Sequence, residues 1–326
     1  MKHTHLGLLL ATTVALGAAC GSSDDTGNTT STASGGELTC TPTDPACPAL
    51  SVNSECLGLV DNAGKDQFAM RLSQLEVTAP KALTSPTVQK VVGDGVYVNL
   101  PECNVAGLGT FSLVVEFDLK SNKLKAGGAA PAKSPAEGYC YVTDNTNGVA
   151  PIEVNATFDV LKFTTDAIPK VVLPVYVDAS AKSAVFLPVT GAKLENGTIS
   201  ADHNCIGSFN DAPPSQGGLD PLNNCLPETG VGYFKNDAML TGSITIEEAD
   251  DVNVDLLGQS LCVLLSGDAA KFGDTSTPKK CKRTGGKIDL EGDWCSTSNK
   301  AGDCKDSFRL EALLAASSVK VRTDCP

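Results

Sequence analysis

Phe111-Ser112-Leu113-Val114-Val115-Glu116-Phe117-Asp118-Leu119 places an apolar side chain at every second position, with Ser112, Glu116 and Asp118 between them. Ile152-Glu153-Val154-Asn155-Ala156-Thr157-Phe158-Asp159-Val160 repeats the pattern. A period of two puts one row of side chains in a core and the other in water, which defines a half-exposed β-strand. Working outward, Met70–Val77, Val96–Leu100, Val171–Val177, Ala184–Val189, Leu240–Ile246 and Ile288–Leu290 are weaker strand candidates, separated by turn-forming Gly, Pro, Asn and Asp. Phe308–Ala316 alternates and reads as a further strand. Asn196-Gly197 predicts a tight hairpin. One helix is predicted over Glu248–Leu265 from Val254, Leu257, Leu261, Leu264 and Leu265, with Asp250, Asp251 and Asp255 solvated near its start and Gly267 ending it. The expected fold is mainly β: an antiparallel β-sandwich or barrel-like domain with one or two short helices, stapled by disulfides.

The 326 residues carry 25 Lys and Arg against 38 Asp and Glu, a net charge of −13. An acidic chain repels phosphate backbones, so nucleic acid is excluded as a partner, and anionic headgroups are disfavoured for the same reason. At 41% hydrophobic residues the chain can bury a sizeable core.

Residues 1–19 read as a signal peptide, with Lys2 ahead of an uncharged apolar run that is too short for a permanent membrane span. Its end, Leu16-Gly17-Ala18-Ala19-Cys20, resembles the lipobox of bacterial lipoproteins; Gly17 stands where that family usually carries Leu. The resemblance implies acylation of Cys20 and a membrane partner reached through the lipid. Gly21, rather than Asp, after the Cys implies delivery to the outer membrane. Cysteine parity agrees: there are 13 Cys, and lipidation of Cys20 leaves an even set. Residues 20–36 have no apolar side chain larger than Ala after Cys20 and are expected to form a flexible tether spanning roughly 20–24 Å. Residues 37–326 are expected to form one disulfide-rich domain, with two lobes split near 126–150 as the alternative.

The remaining cysteines, Cys40, Cys47, Cys56, Cys103, Cys140, Cys205, Cys225, Cys262, Cys281, Cys295, Cys304 and Cys325, are disulfide candidates in an exported protein. Cys103–Cys140, Cys205–Cys225 and Cys295–Cys304 are the expected pairs. Stretches around Cys262, Cys281 and Trp294-Cys295 resemble cysteine-rich lipoproteins of the myxobacterial type, a likeness that implies a location and carries no catalytic motif.

Catalytic chemistry is sparse. His203 is the single His after the signal and sits in a polar turn, Ser200-Ala201-Asp202-His203-Asn204. There is no Gly-x-Ser-x-Gly elbow, no Cys-x-x-Cys pair and no complete nucleotide loop. Asp251-x-Asn253-x-Asp255 starts like a calcium loop, but Leu256 replaces the required Gly and Cys262 the terminal carboxylate. Asp144-Asn145-Thr146-Asn147-Gly148 reads as a turn. The expectation is a non-enzymatic binding or envelope-structural module, without cofactor or metal. A carrier of an apolar ligand and a carboxylate-based hydrolase are the alternatives. Gly207–Gly230 is the expected partner-facing loop, with Asp211, Gln216, Asp220 and Asn223 as contact candidates; removing Asp211–Asp220 is expected to leave stability intact.

Overall fold

The long strand β1 (Gln67–Ala79) is the centre of the molecule. In the computed structural model, residues 38–326 are described apart from Thr229 and Pro326, and they form one compact unit. The expected signal peptide, Cys20 and the expected tether lie outside the described residues. The other main strands are β2 (Ser112–Asp118), β3 (Lys123–Ala129), β4 (Ile152–Asp159), β5 (Lys162–Thr165), β6 (Ile168–Tyr176), β7 (Ala184–Glu195), β8 (Gly197–Thr198), β9 (Ala238–Thr245) and β10 (Ser307–Ser318). They form a single antiparallel sheet in the order β8-β5-β4-β3-β2-β1-β10-β9-β7-β6, strongly curled into a half-barrel. The fold is therefore mainly β, as the alternating stretches require. The first and last long strands pair at its centre, from Met70↔Ser318 to Ala79↔Glu311.

The concave side holds the main core, where Phe68, Met70, Leu113, Val115, Phe117, Leu124, Phe163 and Leu314 are buried. These are one alternate row of each strand, as the period of two dictates. The curl brings the sheet's ends together, and Asn196-Gly197 is part of the closure. It does not form the expected hairpin. Asn196 adopts φ 53°, and the chain turns from β7, near one end of the sheet, to β8, which pairs with β5 at the other. Thr165 Oγ1 accepts from the Leu194 amide at 3.0 Å, and a Cβ on Gly197 would lie 2.1 Å from the Phe163 ring. Packing at this corner thus overrides the Asn-Gly preference. On the opposite seam Gly128 lets β3 approach Pro174 of β6.

Arg71, at the middle of β1, is buried without a carboxylate partner among the described residues. Its guanidinium donates to Ser112 Oγ at 2.9 Å and to the carbonyls of Leu72, Val96 and Phe111 at 2.6, 2.8 and 3.2 Å, and lies 5.5 Å from the Tyr139 ring centroid. Burial lowers its pKa from the ordinary arginine value. These bonds fasten β1 to the start of β2 and to the end of helix α1 (Pro86–Val96). That helix was not expected, and part of it was read as strand Val96–Leu100. Ser85 caps it and Pro86 occupies its first position.

The predicted helix over Glu248–Leu265 is replaced by two short ones, α2 (Ile246–Asp251) and α3 (Leu261–Ser266). Asn253–Val254 pairs with Gln259–Ser260 between them, turning at Gly258 with φ 61°. Asp250 is buried rather than solvated, accepting from Ser260 Oγ and the Cys281 amide, both at 2.8 Å. That bond to Ser260 needs the chain to double back, which a continuous helix forbids. A fourth α-helix, α4 (Ala269–Phe272), follows; the α-helices among the described residues number four, against the one or two short helices expected.

All twelve cysteines of the described residues are paired: Cys40–Cys225, Cys47–Cys103, Cys56–Cys205, Cys140–Cys325, Cys262–Cys281 and Cys295–Cys304. Cys295–Cys304 was expected. Cys103–Cys140 and Cys205–Cys225 are corrected. The entry segment Cys40–Cys56 lacks a period of its own and lies over a second apolar cluster containing Tyr97, Leu100, Val105, Phe209, Leu219 and Phe234. Cys40 and Cys47 therefore bond to Cys225 and Cys103 within that cluster, while Cys56 reaches Cys205 outside it. Replacing Gly128 with Ala sets a methyl 2.3 Å from Pro174 Cδ. Gly128→Ala is expected to lower unfolding stability by about 1–3 kcal/mol in urea titration.

Candidate functional site

The outer face of β6 and β7 carries an open concavity with a partly apolar floor. In β6, Val171 and Leu173 point inward while Lys170 and Val172 face out; in β7, Phe186 and Pro188 share that outer face. With α2 and the Asn253–Val254 strand as the opposite wall, they enclose an open groove of 480 Å³. Its floor is Val172, Phe186 and Pro188, and its rim carries Lys170, Glu248, Asp251 and Asp255. Every Phe of the chain except Phe186 packs in one of four apolar clusters. Lys170 Nζ pairs with Glu248 Oε1 at 2.6 Å. Burial pushes the Glu248 pKa up, but hydrogen bonds from Lys170 and Thr245 outweigh it and hold the carboxyl below its usual range. Asp251 and Asp255 are exposed and have no ion-pair partner among the described residues. The alternation of β6 and β7 was legible; the groove was not, because its second wall depended on the broken helix.

Two other concavities are structural in character. A polar cleft beside Cys281 is lined by Asp250, Lys280, Lys282 and Arg283. Lys280 Nζ donates to Asn253 Oδ1 at 2.7 Å, Lys282 Nζ to the Lys271 carbonyl at 2.8 Å, and Arg283 pairs with Glu247 at 2.7 Å and Asp250 at 3.1 Å. Lys280, Lys282 and Arg283 thus tie this lobe to itself. Asp250, Cys262 and Cys281 converge closely enough to suggest a metal site, but both sulfurs are joined in a disulfide and are not thiolate ligands. The cavity inside the half-barrel, lined by Leu113, Val115, Leu124, Val171, Leu173 and Val189 among others, is 40 Å³. That is room for a few waters at most and not for an acyl chain.

The loop Gly207–Gly230 is packed at its base and exposed at its tips. Leu219 is only 1% exposed, and Asn210 Nδ2 donates to the carbonyls of Gly217 and Gly232, both at 3.1 Å. Asp211 pairs with Lys235 at 3.1 Å, and Asp220 accepts from the Leu222 amide at 2.8 Å, so both carboxylates serve the loop itself. Gln216 and Asn223 are exposed on successive single-turn helices. The burial of Leu219 reverses the expectation that Asp211–Asp220 could be removed without cost. Leu219→Ala is expected to cost about 2–4 kcal/mol of stability, whereas Leu222→Ser, at a position 83% exposed, should leave the urea midpoint within error.

His203 is a turn residue with φ 59°; its ring stacks on Phe68 at 4.7 Å and its Nδ1 lies 2.9 Å from the Lys65 carbonyl. Beside it, Asp202 accepts from Ser200 Oγ, Asn53 Nδ2 and Asn204 Nδ2, linking this turn to the entry segment next to Cys56–Cys205. Asp144 likewise accepts from the Thr146 amide at 2.9 Å, closing its own turn.

No protein-family model, curated protein or solved structure matches this chain.

Burial raises the Asp202 pKa, but its hydrogen bonds from Ser200, Asn204 and Asn53 outweigh that and hold it below the ordinary value. A depressed folded-state pKa adds stability that is complete above the unfolded value, about 4, and is lost as pH falls through the folded value. Asp202→Asn should therefore destabilise the protein by about 1 kcal/mol at pH 7. The gap from the parent should close towards pH 2 in chemical denaturation; a gap independent of pH would contradict the assignment.

Proposed function

We propose that this protein is an exported lipoprotein, acylated on Cys20, whose disulfide-clamped β domain binds a partner at the cell envelope rather than transforming a substrate. Six disulfides belong to an oxidising, extracytoplasmic compartment. No helix among the described residues is long and apolar enough to cross a membrane. The observation that carries the reading is the pairing of every cysteine in the described residues, which leaves Cys20 with no partner among them. Its setting behind Leu16-Gly17-Ala18-Ala19 is that of a lipid-modified cysteine. A single acyl chain gives only marginal membrane binding, so the proposed anchor is the multiply acylated cysteine of the outer-membrane type.

A binding role is favoured over carriage of an apolar ligand because the interior holds 40 Å³ of free space while the outer groove offers 480 Å³. Cys20→Ser is expected to move the protein from the membrane to the soluble fraction and to remove the acyl mass from its N-terminal peptide. Unchanged fractionation of the variant would refute the anchor.

A further inference from the structure

The pair Cys295–Cys304 differs from the other five disulfides in access, loop length and setting. Cys304 is the one exposed half-cystine among the described residues. Four of the other bonds join two buried cysteines, and the fifth, Cys140–Cys325, joins two half-buried ones. Cys295 itself is only 2% exposed, so an attacking thiol meets Cys304 first. The bond links residues nine apart, the shortest loop of the six, and opening it releases the least restraint on the chain. The loop is also held without it. Trp294–Cys295 pairs with Lys300–Ala301, and the Asn299 amide donates to the Cys295 carbonyl at 2.9 Å. Trp294 Nε1 donates to Asn299 Oδ1 at 3.0 Å, and its ring lies 4.7 Å from the Arg309 guanidinium. Asp306 accepts from the Ser296 amide at 2.8 Å and from its hydroxyl at 2.7 Å. These contacts keep Cys295 in place after the bond opens and so favour re-closure over scrambling.

We propose that Cys295–Cys304 is an exchange-active disulfide, opened at Cys304 by an external dithiol while the other five bonds stay closed. A thiolate of the dithiol attacks Cys304 Sγ, and the bond to Cys295 breaks. Cys295 leaves as a thiolate. Thr297 Oγ1, 3.3 Å from its sulfur, donates a hydrogen bond to it, and it takes a proton from water. The Asp306 carboxylate, within 4.8 Å of both sulfurs, disfavours a lasting anion there and promotes that protonation. The second thiol of the dithiol, giving its proton to water, then attacks the dithiol's own sulfur in the mixed disulfide. Cys304 is expelled and protonated in turn. Two electrons pass from the dithiol, which ends as a disulfide, to the cystine, which ends as two thiols. With a monothiol the chemistry halts at an adduct on Cys304, which Cys295 can expel again. The site shares no residue with the groove over β6 and β7. It stands whether or not the domain binds a partner and whatever the state of Cys20.

The test uses the oxidised, full-length mature protein with any free thiol first blocked by N-ethylmaleimide. The native protein is treated with dithiothreitol, quenched at intervals with iodoacetamide, and mapped by peptide mass. Cys295 and Cys304 are expected to be labelled together, at least about tenfold faster than any other pair. The direction of attack is read from two variants, each checked for five disulfides by intact mass. The thiol left in Cys295→Ser is expected to take up oxidised glutathione at least about tenfold faster than the buried thiol left in Cys304→Ser. The double variant Cys295→Ser/Cys304→Ser should fold and keep the other five bonds. The assignment is overturned if Cys140–Cys325 or a buried pair opens first, if all six open together, or if the two single-variant thiols react alike. A double variant that fails to fold would also overturn it, because the bond would then be a structural staple.

Discussion

The pairing of β1 with β10 is the constraint on which the remaining structure depends. These two strands are the longest central partners, and one comes from near the start of the described chain and the other from near its end. The other main strands are ordered outward from this pair, β2, β3, β4, β5 and β8 on one flank and β9, β7 and β6 on the other. The core row of β1, including Met70 and Leu72, and that of β10, including Leu314 and Ala316, share one apolar cluster. A shift of one residue in this ladder would turn both rows to the wrong face. Arg71 holds its place by a different means. A guanidinium in the middle of a buried strand has to satisfy its donors locally, and three carbonyls and a serine hydroxyl do so.

The disulfides act around this centre rather than within it. Cys40, Cys47 and Cys56 each reach across to an element far away in sequence, so an entry segment with little regular structure beyond the turn Pro48–Ser51 becomes a lid on the second apolar cluster. Cys140–Cys325 fixes the end of the chain beside the Tyr139 region, where Val319 and Val321 pack. Long loops closed in this way restrict the unfolded chain most strongly. The Cys262–Cys281 bond instead closes a local loop, and the buried Asp250 carboxylate, accepting from Ser260 and the Cys281 amide, ties that loop to α2.

Much of the sheet was legible because alternation is a local property. Phe111–Leu119, Ile152–Val160 and Phe308–Ala316 each carry the period within a single segment and fall on β2, β4 and β10. What was illegible depended on partners distant in sequence. The spacing of Val254, Leu257 and Leu261 fits a helix equally well when two short helices share a cluster, and only the buried carboxylate of Asp250 decides against it. Asn196-Gly197 has the composition of a hairpin, but its direction is set by the opposite end of the curled sheet. Cysteine pairing was legible only at Cys295–Cys304, where sequence neighbours are also spatial neighbours. α1 could have been found from Ser85-Pro86 and the four-residue spacing of Val88, Val92 and Val96, a signal masked by Gly93 and Gly95. The groove combines readable strands with an unreadable wall, and only the exception of Phe186 within a buried set of phenylalanines marks it.

The central position of β10 also bears on how the molecule comes into being. A chain made from its N-terminus delivers β1 long before β10. Until Ser307–Ser318 emerges, β1 has one partner instead of two and a row of unpaired amides along its most apolar length. The half-barrel cannot be completed flank by flank, because both flanks join at the strand that arrives last. Such a topology favours slow, late assembly and a long-lived open edge. The growing chain therefore has a period of vulnerability, in which shielding of the β1 edge and delayed oxidation of Cys56, Cys140 and Cys205 would matter.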